Sequence, residues 1–378
     1  MRTRFSWYVA LVAAMALGAG ELSVSLAQDQ PRVGSGKNEE GKAARPQAEG
    51  AAEEVAQPQA GQPDRDATIC VNAFPSAVQA RLEAMERQLS RAGRGQSPGD
   101  AFDLVLQSNK LWTKPTVTVS LNGGDKSLHK QVAEAMDDWT DYGGVKLDFG
   151  RNAAGEYRKW SPSYTAYKSD IRISFNHPEG GYWSLVGTDS ANAAIIGPGE
   201  ASLNLQGFAG TLSADQKGTA LHEMGHALGF QHEHQSPAGG CDHEFRWEDD
   251  PTTGTPGIYT VLGGSPNFWP RSKVDHNLRQ LPNSRLLIVT PYDPKSIMHY
   301  SFPGWMFVSG ESSPCHTGRN NALSAGDKAG MKLAYPTGES EQKNRRKQRA
   351  TVLEHILGAK GLKQGLKREL NAQLESIR

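Results

Sequence analysis

Apolar residues return along this chain with two different periods, and each change of period marks an element. Val78, Leu82, Met85 and Leu89 stand three or four apart, which predicts one amphipathic helix over 75–91. Thr116 to Leu121 alternates and predicts a strand, Leu128 to Trp139 returns to helical spacing, and Val145 to Phe149 and Asp170 to Phe175 again read as strands. A further short strand is expected at Ala201 to Leu205, and a longer helix from about Ala214. Strands, a helix, strands and then a second helix describe an α+β domain: a twisted sheet backed by helices, with an irregular lower half. Val352, Leu353, Ile356 and Leu357 open another amphipathic stretch that runs to the C-terminus.

The helix that begins near Ala214 carries His222-Glu223-Met224-Gly225-His226, followed by Gly229, His232 and Glu233. Each helical residue turns about 100° and rises about 1.5 Å, so His222 and His226 leave one face a turn apart and can grip one metal ion. His232 would point away if the helix continued, so the chain has to bend before it. Gly229, lacking a Cβ, can take the positive φ that ends the helix and turns the chain back. Three neutral imidazoles leave a zinc ion its full charge and an open fourth position, the arrangement of a catalytic site rather than a structural one. Water in that position has its pKa lowered toward about 7, and Glu223 is placed to take its proton. That chemistry is hydrolysis. HExxH alone recurs by chance, but the glycine, third histidine and trailing glutamate in fixed register make scattered helix histidines a poor account.

The extended motif resembles the metzincin metallopeptidases, and a glutamate directly after the third histidine resembles the astacin family. Ser296-Ile297-Met298-His299-Tyr300 is similar to the astacin Met-turn. Asp170 to Phe175, Tyr182 to Gly187, and Leu323 to Asp327 leading to Tyr335-Pro336 extend the likeness over about residues 110–336, with the look of a bacterial enzyme. The resemblance implies a metzincin catalytic domain with two long helices above a zinc cleft and an irregular lower subdomain. It also implies one catalytic zinc and endopeptidase action on protein or peptide substrates.

Several roles follow from the resemblance. Met298 is expected to pack beneath the ligands, since a thioether is a poor zinc donor beside three imidazoles. Tyr300 is expected to bind zinc at rest and to swing away to donate to the oxyanion of the tetrahedral state. Glu233 would anchor the N-terminus formed on activation. Residues 201–205 would be an exposed edge strand, with Ser202, Leu203 and Asn204 holding an antiparallel peptide through backbone pairing. Alternation of Ser202 and Asn204 with Leu203 and Leu205 fits one polar face; a buried strand is the other reading. Residues 67–109 read as a pro-segment. Asp100, within Ser97-Pro98-Gly99-Asp100, and Cys70, whose thiolate suits zinc better, are the candidates for a latency switch. Asp100 is preferred, although the phenylalanine of the family's usual motif is missing.

Composition sets the remaining bounds. Arg2 and Arg4 precede an apolar run from Phe5 to about Leu17, with small residues at Ser25 and Ala27, which reads as a signal peptide over 1–27. A signal anchor fits less well because the run is short for a span. No other segment is apolar enough to cross a bilayer, so a secreted protein, extracellular or periplasmic, is expected. Residues 28–66 are Gln, Ala, Gly, Glu and Pro with almost no large apolar side chains, and so a flexible spacer. Of the three cysteines, Cys241 and Cys315 both fall in the catalytic region and are expected to pair, leaving Cys70 over. The animal astacins place their cysteines elsewhere, so the resemblance does not supply this pairing.

Forty-one basic residues balance forty-one acidic ones in the 378-residue chain, giving no global attraction for nucleic acid. Within 337–378 a basic run (Lys343, Arg345, Arg346, Lys347, Arg349) precedes the last amphipathic stretch. It reads either as a contact for an anionic surface or partner, or as the solvated face of a helix. Two other functions stand beside the endopeptidase: a zinc amidase acting on cell-wall peptides, and a binding protein whose zinc is structural. Glu223 and Tyr300 weigh against the second, because a structural site needs neither.

Overall fold

In the computed structural model, residues 8–9, 74–93, 110–265, 267–281, 288–358 and 362–377 are described. The spacer at 28–66, Cys70, Asp100 and nearly all of 1–27 lie outside the described residues. Five strands form one sheet: β1 (Thr116–Asn122), β2 (Lys146–Asp148), β3 (Ile171–Ser174), β4 (Tyr182–Ser184) and β5 (Leu203–Leu205), in the order β2-β1-β3-β5-β4. All neighbours run parallel except β4, which is antiparallel to β5. The register sets Val119 beside Ile171, Leu121 beside Ile173, and Ile173 beside Leu203. This makes a continuous branched apolar row across one face, and each such buried side chain contributes about 1.5–3 kcal/mol.

Helices α2 (Lys126–Asp137) and α3 (Ala214–Ala227) share one core with that row through Leu128, Val132 and Met136 and through Leu221 and Met224. The Asp125 side chain accepts from Leu128 N at 2.8 Å and starts α2. Ser213 and Gln216 form a reciprocal capping box that starts α3, and so fixes the phase in which its histidines emerge. Trp139 ties the two helices by donating its indole N–H to Leu221 O at 2.9 Å.

The opposite face of the sheet is polar yet buried. Arg172 donates Nε to Glu200 O at 2.7 Å and Nη2 to Ser190 O at 2.7 Å. Ser202 Oγ accepts from Arg172 N at 2.9 Å, and Asn204 Nδ2 donates to Gly181 O at 2.6 Å. These contacts overturn the expectation that residues 201–205 form an exposed edge. Strand β5 lies between β3 and β4, and Ser202, Leu203 and Asn204 are all 0 % exposed. The alternation is real, but its polar side meets an internal hydrogen-bonded layer instead of water. The sheet ends at β2 on one side and β4 on the other.

Below the sheet the chain is built from short helices, at Cys241–Glu244, Ile258–Gly263 and Arg271–Leu278, and from 3-10 turns. They surround an aromatic core that includes Phe245, Tyr300, Phe302 and Phe307. A disulfide joins Cys241 to Cys315, 74 residues apart in sequence, with Cα atoms 5.7 Å apart. A two-residue antiparallel pairing also links Tyr8–Val9 to Ile288–Val289.

Helix α4 (Ala325–Ala334) returns to the sheet core through Met331 and Ala334. Helices α5 (Glu339–Leu357) and α6 (Gln364–Ile377) then form a hairpin, and α1 (Ser76–Gly93) packs with it. Val78, Leu82 and Met85 of α1 share a cluster with Leu353, Ile356, Leu366, Leu370 and Leu374, and with Leu185, Ile195 and Ile196 of the loop after β4. Arg81 clamps this packing with two hydrogen bonds to Glu200, at 2.6 and 2.8 Å, and one to Ile195 O at 2.9 Å. The C-terminal stretch is therefore a packed hairpin, and its basic run is split: Arg349 is buried, while Lys343 and Lys347 are exposed. Among the described residues no helix is long and apolar enough to cross a membrane.

Candidate metal centre

Helix α3 ends where its ligands require. Gly229 takes φ +99°, its N–H donates to His226 O at 2.7 Å, and Phe230 N donates to Gly225 O at 2.9 Å. These paired closing bonds make a Schellman turn, which satisfies the last carbonyls of the helix. The reversal sends 230–235 back beneath the helix and brings His232 to the other two histidines. A Cβ at Gly229 would also lie 2.8 Å from Leu111 Cδ2, so space as well as φ selects glycine.

The three imidazoles are oriented from behind. His222 Nδ1 faces Ile297 O at 2.8 Å, His226 Nδ1 faces Phe230 O at 2.8 Å, and His232 Nδ1 faces Gln235 Oε1 at 3.2 Å. Gln235 donates its own Nε2 to His276 O and Arg279 O, at 3.0 and 3.1 Å, which fixes its oxygen toward the histidine. Every partner is an acceptor, so each Nδ1 carries the proton and each Nε2 presents a lone pair. Burial holds all three rings neutral, with His222 pushed down to about 4, His226 to about 3 and His232 well below its ordinary value. The Nε2 atoms converge: His226 is 3.1 Å from both His222 and His232. Three lone pairs aimed at one point repel unless a cation sits between them, and zinc, bound at about 2.0–2.1 Å to each nitrogen, fits that spacing. The donor set therefore fits the metal.

Glu223 is 3 % exposed, and its Oε2 has no hydrogen-bond partner among the described residues. Burial pushes its carboxyl up to about 8. A buried acceptor left unsatisfied costs about 1–3 kcal/mol, which a water or cation beside it would offset. Tyr300 lies over the ligands, its ring centroid 4.2 Å from His232 and 5.3 Å from His222. Beside Glu223 and Tyr300 opens a cleft also lined by Thr219, His299 and Asn321. Met298 is 2 % exposed and packs under α3, where a Cβ on Gly225 would come within 2.4 Å of its sulfur. Gly225, the residue between the ligand pair, thus makes room for the methionine.

Glu233 accepts Asp293 N at 2.8 Å and lines a second cavity with Leu111 and Asp327; burial pushes its carboxyl up to about 7. Asp327 holds the turn at 296–300. Its Oδ1 accepts Ser296 Oγ at 2.6 Å, and its Oδ2 accepts Ile297 N at 2.9 Å and Ser324 N at 2.8 Å. Ile297 O is itself the acceptor for His222, so Asp327 acts on the metal centre through a single residue, held at its N–H and presenting its carbonyl. Gln235, Asp327 and Gly225 take roles at this centre that no motif in the sequence announces. Their only local signals were a glutamine three residues after a ligand and an acidic residue at the third position of a helix that opens with serine.

No protein-family profile and no curated protein matches the chain. Among solved structures it is similar to two of myroilysin. One is 28 % identical, with TM-score 0.47, covering 61 % of this chain and 97 % of that one; the other is 26 % identical, with TM-score 0.40, covering 60 % and 86 %. It is also similar to high choriolytic enzyme 1, a hatching enzyme zinc-protease from Oryzias latipes, at 18 % identity and TM-score 0.37, covering 60 % of this chain and 94 % of that one. These solved chains are what the protein is similar to, and its motif residues resemble those of the astacin family.

Proposed function

We propose that the protein is a secreted zinc endopeptidase of the astacin type. The observation that carries this reading is the convergence of three Nε2 lone pairs beside a buried glutamate oxygen with no other partner. A bound zinc would supply Lewis acidity, lowering the pKa of a water and polarising a carbonyl. The positive charge of a zinc held beside it would bring the buried Glu223 carboxyl back to its ionised form, so that it takes the water's proton and returns it to the departing amine, serving as base and then acid. Tyr300 donates its phenolic hydrogen to the carbonyl oxygen as charge develops there. An extended peptide can be held by backbone pairing only at a sheet edge, so that role passes from residues 201–205 to β4, Tyr182–Ser184, the edge strand that contacts helix α3.

Glu233 and its cavity are assigned to the N-terminus released by activation, residues 67–109 to a pro-segment whose helix α1 stays docked on the C-terminal hairpin after cleavage, and Asp100 or Cys70 to latency. Export through a signal peptide agrees with the Cys241–Cys315 disulfide, which persists in an oxidising compartment. Glu223→Gln tests the mechanism. The amide is nearly isosteric but accepts no proton, so zinc content should stay near one per chain while casein hydrolysis falls by about 10²–10⁴ or more. Casein turnover retained in a zinc-replete variant refutes the role of Glu223. Parent protein that degrades peptidoglycan and leaves casein intact would move the reading to the amidase.

A further inference from the structure

The segment before β1 and helix α5 enclose a cavity of about 350 Å³ that none of the three histidines, Glu223 or Tyr300 lines. Its wall carries Lys114, Arg345, Arg346 and Arg349, with Gln342 and the indole of Trp112, and no carboxylate among the described lining residues. The cations differ in how far they are committed. The Lys114 ammonium is 2.5 Å from Asp170. Arg349 is 5 % exposed and donates one Nη to Leu111 O at 2.5 Å. Arg345 is half-buried, with one Nη on Leu333 O, and Glu341 acts on it from outside the wall. Arg346 is exposed at the mouth.

Burial pulls the Arg345 guanidinium down from its ordinary value and Arg349 down to about 10, the direction expected where positive charge is taken from water. A guanidinium has five N–H donors in a fixed plane, and the Leu333 carbonyl occupies only part of the Arg345 fork. Like charges grouped on one wall repel across it. A phosphate-type oxyanion relieves the repulsion and offers paired acceptor oxygens to the planar donors.

We propose that this cavity binds a phosphate group, either free inorganic phosphate or the head group of an anionic phospholipid. Both sources present the same chemistry. Lys343 and Lys347 stand on the same helix but do not line the cavity, and so form an internal control of equal charge.

The test is calorimetric titration of the full-length protein with inorganic phosphate against sodium chloride at matched ionic strength. It is run on the parent, on Arg345→Gln/Arg346→Gln and on Lys343→Gln/Lys347→Gln. Each lost charge-assisted contact is worth about tenfold in affinity, so the arginine pair should weaken binding by about 10- to 100-fold and the lysine pair by less than about threefold. Arg346→Gln alone, at an exposed position, should lose about tenfold if the double variant does not fold. Co-sedimentation with phosphatidylglycerol vesicles, competed by free phosphate, identifies the lipid source; saturable phosphate binding without sedimentation identifies the free ion. Absence of saturable phosphate binding by the parent overturns the proposal, as it would if the chain's own acidic side chains fill the cavity. Equal loss in the arginine and lysine pairs overturns it as well, since that would be a diffuse charge effect.

Discussion

Substituting Gly229 by alanine isolates the bend on which the third ligand depends. Two costs can be read from the structure. A non-glycine residue at φ +99° pays the left-handed backbone penalty of about 1–2 kcal/mol. Its Cβ would stand 2.8 Å from Leu111 Cδ2, and moving that methyl off its rotamer adds about 0.5–1.5 kcal/mol. Restricting the unfolded chain returns about 0.4–1 kcal/mol. The net loss is about 1–2.5 kcal/mol, a fall in Tm of roughly 2 to 10 °C for a domain of this size. Because the bend lies between His226 and His232, part of the strain falls on the ligands. Zinc competition against a chromophoric chelator should show up to about tenfold weaker binding, since metal affinity and folding are coupled here. Gly229→Asn supplies the control: it keeps the Leu111 contact but tolerates positive φ better, so it should recover about half of the Tm loss. Alanine at the parent's Tm with unchanged zinc affinity would refute the argument, and asparagine falling as far as alanine would show that Leu111, not φ, carries the cost.

Tyr300→Phe should lower kcat by about 10²–10³ with KM little changed and zinc retained, because the phenol meets its acceptor only as charge develops; steady-state kinetics and metal content of one preparation decide it. Replacing Cys241 and Cys315 by alanine should cost about 2–4 kcal/mol, read as a Tm drop of roughly 5 to 15 °C, because the link closes a long segment poor in sheet pairing. Asp327→Asn replaces one of the two oxygens by an NH2 that meets either the Ser296 hydroxyl or the Ile297 and Ser324 N–H groups, so it should destabilise the fold by about 1.5–3 kcal/mol in urea titration and release zinc at lower chelator concentration than the parent does.

The convergence of His222, His226 and His232 was legible because their spacing is local: four residues on a helix and one glycine decide where they can go. Strand and helix positions were legible for the same reason, and the α3 boundary lies where Ser213 caps it. What failed was non-local. Residues 202 and 204 look solvent-facing in a two-residue period, yet their partners are Arg172, 30 residues earlier, and Gly181, 23 residues earlier. A buried polar layer and a wet surface write the same alternation. Gln235 and Asp327 escaped notice because a side chain that orients a ligand through a carbonyl has no fixed sequence distance from it. The C-terminal stretch read as a solvated or surface-seeking helix because nothing in its own sequence reveals that α1, more than 250 residues earlier, covers it.

That last packing governs how the catalytic region can be shortened. A version beginning at Lys110 would look natural from the motifs alone, but it would strip Val78, Leu82 and Met85 from Leu353, Ile356 and the leucine stripe of α6 and leave Glu200 without Arg81. The exposed stripe would favour self-association over a clean monomer. Residues 74–93 and 337–378 therefore behave as one interchangeable cassette: both kept, or both removed with Leu185, Ile195 and Ile196 recoloured polar.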